Sequence, residues 1–346
     1  MRQFLEFRVA EEHAHLLFGY SEGTRLGTFH TVRKIVLPVD DPRIPQIRRV
    51  EDRLKANGHS LYSGCFIHYR YTRSEIAAAE LFFIWITAAF EPPGELCGTV
   101  FDESETCPEC GAGRKQVSDL VLDLRKAPKT KDIAGTIARD EWLISQRLAE
   151  LMVDAKLTGF DLAPVRHKAR YQDDPVDIKV VPTGREMYRL AKAQGVPDDR
   201  WEFDVWVHRP EQAELLDRAW EEHAELRARQ ARKHRKPPPV WYQLVVTSNP
   251  VPMVAPTRAG NDPFDDDPKD EYRCPYGHVI GLTLLSEVSV PRNQWDGSDV
   301  IITSNMTGCR RGLLMPAPRL LISPRFYQLL RKEKIKGFKA EIAHLV

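Results

Sequence analysis

Leu143–Phe160 reads LISQRLAELMVDAKLTGF, and Leu321–Phe338 reads LISPRFYQLLRKEKIKGF. The two stretches align without a gap at an offset of 178 residues, from 143 to 321. Identical residues recur at Leu143/Leu321, Ile144/Ile322, Ser145/Ser323, Arg147/Arg325, Leu151/Leu329, Lys156/Lys334, Gly159/Gly337 and Phe160/Phe338. Each copy predicts the same unit. A short apolar strand runs into a serine whose hydroxyl can cap the next helix. That helix turns an apolar stripe inward through Leu148, Leu151 and Met152, or through Phe326, Leu329 and Leu330. Gly159 or Gly337 is then expected to stop it, and phenylalanine opens the next strand.

The register extends upstream. Cys107 precedes Asp132 by 25 residues and Cys274 precedes Asp299 by 25, and each aspartate has a threonine four positions later, Thr136 or Thr303. The offset there is 167, so the second copy gains 11 residues before its LIS strand, and GCRRGLLMPAP (308–318) is where they fit. LFFIWIT, ending at Thr87, and WYQLVVT, ending at Thr247, look like matching apolar strands. A search for repeats comes first because a missed repeat misreads the whole fold. The reading is an internally duplicated α+β protein with halves 1–170 and 171–346, packed about a pseudo-twofold as a homodimer would be. Asp132 and Asp299, each ahead of an apolar strand, read as turn residues.

With 346 residues, 42% of them hydrophobic and 29% charged, the chain is long enough for a large core and has ordinary globular composition. Its most apolar run, ELFFIWITAAF, is too short to span a bilayer and contains a glutamate. MRQFLEFRVAEEHAHLLF carries acidic residues where a signal peptide has its apolar core, so a cytoplasmic protein without membrane association is expected. Six cysteines are too few for a disulfide scaffold of this length. A net charge of +1 excludes a global field that would drive the protein onto nucleic acid. The charges are unevenly placed: ELRARQARKHRK contains a basic segment, 227–236, and NDPFDDDPKDE (261–271) is acidic. The basic segment closes a helix-like stretch before Pro237, where cations suit a helix C-terminus, and no aromatic residues interleave it as a nucleic-acid surface would require.

CPECG (107–111) and CPYGH (274–278) fall at equivalent places in the repeat. A cysteine pair two residues apart holds one edge of a tetrahedral Zn²⁺ site, and the following glycine admits the turn around the metal. In the second copy Gly277 stands at the place of Cys110 and His278 at that of Gly111. A closed structural site needs four ligands. Two sets compete: Cys107 and Cys110 with Cys274 and His278, or Cys97, Cys107 and Cys110 with one residue of the distant pair. The first is preferred, since loss of one cysteine beside a gained histidine suits a retained ligand. Cys65 and Cys309 read as ordinary thiols.

No GxSxG, P-loop, GxGxxG, HExxH or paired-carboxylate signature occurs, so a non-enzymatic protein is expected. Glu11, Glu12, His13 and His15 match no catalytic spacing and read as a solvated helix or loop. The cysteine motifs, followed by the serine-capped helix and the Gly-Phe strand, resemble the double-CxxCG family of bacterial proteins, known for expanded paralogues in myxobacteria. The similarity covers 105–165 and 270–340; Cys107, Cys110 and Gly111 fit the first motif, while the second keeps only Cys274. The resemblance implies an immunity protein that binds and neutralises a toxin through a complementary surface, with 261–271 and 227–236 as candidate recognition surfaces. The alternative is a zinc-containing nucleic-acid-binding or regulatory protein using 227–236.

Overall fold

The computed structural model describes residues 1–26, 31–168, 184–193, 214–215, 218–219, 221–222, 238–260, 263–264, 274–278, 283–308 and 315–346. The basic segment 227–236, Cys309 and all of 261–271 except Pro263 and Phe264 lie outside the described residues. The fold is mixed α+β and mainly sheet, and no helix among the described residues is long and apolar enough to cross a membrane. In chain order the elements used below are β1 (Arg2–Ala10), β2 (Val32–Pro38), α1 (Ile44–Lys55), β3 (Tyr62–Arg70), β4 (Leu81–Ile86), β5 (Ala89–Phe90), β6 (Ile133–Thr136), β7 (Trp142–Ser145) and α2 (Gln146–Asp154). They continue with β8 (Phe160–Pro164), α3 (Gly184–Ala193), β9 (Trp241–Val246), β10 (Val288–Val290), β11 (Val300–Thr307), β12 (Ala317–Ile322), α4 (Pro324–Lys332) and β13 (Phe338–Leu345).

The chain divides into two compact units: Met1–Thr24, Val32–Arg170 and Pro239–Val346 form one, and Arg25–Thr31 with Tyr171–Pro238 the other. The smaller unit contains α3, where Leu190 and Ala191 are buried. These units do not coincide with the expected halves 1–170 and 171–346. The reason lies in the two central sheets of the larger unit, ordered β8-β9-β7-β6-β5 and β10-β13-β4-β12-β11. Each takes one inner strand from the far side of residue 170. β9 pairs antiparallel with both β7 and β8, matching Ile144 to Tyr242 and Phe160 to Val246. β4 pairs antiparallel with both β12 and β13, matching Ile322 to Phe82 and Phe338 to Ile86. LFFIWI is an unbroken apolar run buried at Leu81, Phe82, Phe83 and Ile84, as an inner strand requires, whereas WYQLVV is buried at Trp241 and Leu244 and carries Gln243 between them.

Between the sheets lies one hydrophobic cluster that includes Phe82, Ile133, Ile144, Leu148, Met152, Leu244, Val300, Ile322, Phe326 and Leu330. Burying a side chain such as Leu148 is worth about 1.5–3 kcal/mol, so the two helices contribute to a single core rather than to two. The expected caps are present: the Ser145 hydroxyl accepts the Leu148 N–H at 3.3 Å, and that of Ser323 accepts the Phe326 N–H at 3.1 Å.

The expected stop signal is corrected. The helices end before the glycines, at lysines in the left-handed conformation, Lys156 with φ 50° and Lys334 with φ 53°. The Leu157 N–H then reaches Met152 O at 3.1 Å, and the Ile335 N–H reaches Leu330 O at 3.0 Å, a Schellman closure in both cases. The glycines serve a close approach instead. A Cβ on Gly159 would lie 2.3 Å from Val300 O, and one on Gly337 would lie 1.9 Å from Ile133 O. Asp132 and Asp299 likewise do more than turn the chain. Asp132 accepts the Ser145 hydroxyl at 3.2 Å and the Lys336 N–H at 3.1 Å. Asp299 accepts the Ser323 hydroxyl at 2.5 Å and the Thr158 N–H at 3.0 Å.

The N-terminal segment adds a flank in which β1 pairs antiparallel with β2 and β3. Alternate residues Leu5, Phe7 and Val9 point into a separate core with Ile35, Leu37 and Ile47 of α1, and Cys65 is buried there as an ordinary thiol.

Candidate metal centre

CPECG forms a compact knuckle. The Gly111 N–H donates to Cys107 O at 2.8 Å, the Cys107 N–H donates to Ala112 O at 2.7 Å, and Gly111 is left-handed with φ 80°. CPYGH closes in the same manner one residue sooner. The Gly277 N–H donates to Cys274 O at 2.8 Å, the Cys274 N–H donates to His278 O at 2.8 Å, and Gly277 has φ 86°. This corrects the expected correspondence: Gly277 does the work of Gly111 rather than replacing Cys110, and His278 takes the place of Ala112. The shorter turn needs a left-handed glycine for the same steric reason as the longer one.

The two knuckles meet. Ligand atoms of Cys107, Cys110, Cys274 and His278 all lie within 4.8 Å of one another. Cys107 Sγ is 4.0 Å from Cys274 Sγ, while His278 Nδ1 is 3.2 Å from Cys274 Sγ and 3.5 Å from Cys110 Sγ. A tetrahedral ion with metal–sulfur bonds of about 2.3 Å and metal–nitrogen bonds of about 2.0 Å has edges of about 3.8 Å and about 3.5 Å. The protein distances match that tetrahedron and are far too long for a disulfide. The three cysteines are buried, with Ala112 and Met306 packed around them. These four residues can therefore hold one metal ion. Cys97, the alternative ligand, is buried in the turn Gly94–Cys97 and is not one of the four.

The sulfurs are unequal. Backbone N–H groups of Cys110 and then Glu109 donate to Cys107 Sγ and lower its thiol to about 6, against the opposing effect of burial. Burial instead pushes the Cys110 thiol up to about 12, although the Ala112 N–H favours its thiolate. Backbone dipoles thus favour the thiolate of Cys107, while burial disfavours that of Cys110. A divalent cation held by Cys107, Cys110, Cys274 and His278 would favour all three cysteines as thiolates. The backbone donors then orient the sulfurs from behind. With four protein ligands no coordination position remains for substrate, so the arrangement suits fastening rather than catalysis.

The acidic and histidine residues near the N-terminus form no comparable cluster among the described residues. Glu11 pairs with Arg33, and the His13 ring meets that of His59 edge-on at 5.7 Å. The backbone donors at Ala112 and Glu109 have no residue-type signature, and only the turn implied by CPECG could have pointed to them. No family model matches the chain, nor does any curated protein or solved structure.

Proposed function

We propose that the chain is a non-enzymatic protein-binding module stapled by one structural Zn²⁺, of the immunity type that neutralises a bacterial toxin. The observation that carries the reading is the closed cluster of Cys107, Cys110, Cys274 and His278, which joins segments 167 residues apart with no open ligand position. Three sulfurs and one imidazole at tetrahedral spacing favour zinc over harder cations, which prefer oxygen. The resemblance of CPECG and its following helix to the double-CxxCG family supplies the immunity role.

Internal duplication belongs to the same proposal. It is supported by the identical residues at 143–160 and 321–338 and by the matching positions of β7-β9-β8 and β12-β4-β13 in their sheets. The paired carboxylate contacts of Asp132 and Asp299 support it further.

The test is co-expression with the product of the neighbouring gene in a susceptible bacterium. Relief of growth arrest, together with a complex that survives gel filtration, is the expected outcome. Growth arrest that persists, or salt-dependent binding of the purified chain to duplex DNA, would reject the immunity role.

A further inference from the structure

A cavity of about 260 Å³ lies in the larger unit, lined among others by Phe83, Trp85, Ile86, Trp142, Arg139 and Arg319. Arg319 projects from β12 and is only 7% exposed. Its Nε and Nη2 have no hydrogen-bond partner. Its guanidinium carbon stands 5.8 Å from the Phe83 ring centroid and 5.5 Å from that of Trp85. Such contacts satisfy the face of a guanidinium and leave its in-plane N–H groups free. Both atoms are closed to water in the ligand-free protein, and a turn of the guanidinium toward the cavity presents their parallel N–H bonds, the edge that grips both oxygens of a carboxylate.

No carboxylate among the described residues pairs with Arg319. Burial and then the like charge of Arg139 push its guanidinium down to about 9. Arg139 follows β6 in the left-handed conformation, with φ 70°, and is itself lowered by burial. Two neighbouring cations in an apolar cavity, one with buried, unsatisfied donors, are an unfavourable arrangement for the protein alone. The arrangement becomes favourable when an anion sits between them.

We propose that this cavity is a binding site for a small organic carboxylate with a flat apolar body, gripped side-on by Arg319 Nε and Nη2 and further neutralised by Arg139. The aromatic and aliphatic walls select an organic body over inorganic phosphate, whose remaining oxygens would lack donors there. This site is separate from the metal centre and stands whether or not the immunity role does.

Isothermal titration of the full, metal-loaded chain with benzoate tests it, with neutral benzamide and inorganic phosphate as controls. Benzoate is expected to bind saturably with Kd of about 1 mM or tighter, at least about tenfold tighter than either control. Arg319→Met should weaken benzoate at least about tenfold while leaving the ligand-free Tm equal or higher, because an unpaired buried charge has gone. Arg139→Gln, at a half-buried turn, should weaken it by a smaller factor and provides the readout if the first variant fails to fold. Equal binding of benzamide, tighter binding of phosphate, no saturable benzoate binding, or benzoate affinity unchanged in the folded variants would each overturn the proposal.

Discussion

The Asp299 carboxylate accepts the backbone N–H of Thr158 at 3.0 Å, across 141 residues of chain. Asp132 makes the corresponding bond to Lys336 at 3.1 Å, across 204 residues. Arg325 and Arg147 also reach these carboxylates, at 3.3 Å and 3.4 Å. Asp299→Ala would strand the Thr158 N–H and the Ser323 hydroxyl together. It is expected to lower stability by about 3 kcal/mol in urea unfolding, given about 1.5–3 kcal/mol for each bond to a charged group and incomplete additivity. Asp132→Ala should cost less, since its side chain is 13% exposed against 6% for Asp299. Loss below about 1 kcal/mol for Asp299→Ala would mean these carboxylates are not anchors.

A methyl group distinguishes the two kinds of glycine. Gly337→Ala would place Cβ 1.9 Å from Ile133 O on a backbone with φ 111°. The strand must move, so a loss of at least about 4 kcal/mol or failure to accumulate as soluble protein is expected. A Cβ on Gly277 would meet nothing within 4 Å among the described residues, so resistance to substitution there comes from the left-handed φ of 86°. Gly277→Ala should cost about 1–2 kcal/mol. Thermal unfolding of the two variants side by side decides; equal losses would contradict the close approach at Gly337.

Metal analysis of the purified chain should give about one zinc per molecule. Cys107→Ser should abolish it and lower Tm in the same preparation, and His278→Ala should do both more mildly, with imidazole lost from one corner of the tetrahedron. Cys97→Ser should retain full metal, because that residue is outside the cluster. Full zinc in His278→Ala beside lost zinc in Cys97→Ser would select the other ligand set. Chelation should loosen the join between the knuckles more than it unfolds a core as extensive as the one between the sheets.

Glu141 gives the pH dependence a sign. Burial raises its carboxyl from 4.5 to about 7, against hydrogen bonds from Thr136 and the Gly94 N–H. The folded state therefore holds a proton that the unfolded state has released, and stability from this group falls as pH rises from about 4.5 to about 7. Glu141→Gln removes that loss. The difference between variant and wild type should grow over this window by on the order of 1–3 kcal/mol and then level off. Guanidinium unfolding at several pH values measures it, and a flat difference would show that Glu141 does not titrate this way. Glu341, also raised to about 7 by burial, acts in the same direction in both proteins and cancels from the difference.

Local chemistry was legible in the sequence where the partner lay close by in the chain. The caps at Ser145 and Ser323 form as read, because a capping hydroxyl needs only the residues of the following turn. The four metal-site residues were legible too, since thiolate pairs and histidine have a restricted chemistry. Non-local pairing was not. Nothing in WYQLVV states that its neighbours are 142–145 and 160–164, because backbone hydrogen bonds carry no residue code. The left-handed Lys156 and Lys334 were hidden for a related reason, as glycine is the usual sign of that conformation and the glycines nearby had another task. Arg319, one cation inside the apolar strand APRLLI, was a visible signal that only its surroundings make meaningful.

The exchange of inner strands also bears on how the protein is made. Synthesis runs from the N-terminus, so β7 and β8 leave the ribosome long before β9, the strand that must lie between them. β4 waits longer still, since β12 and β13 begin only at Ala317 and Phe338. Until then it is an apolar strand with both edges unpaired, the kind of segment that adheres to other nascent chains. Polysomes carrying this message would therefore hold sticky intermediates from the emergence of β4 until that of β12 and β13. Chaperone capture of residues 81–86 during synthesis would shield the strand until its neighbours emerge.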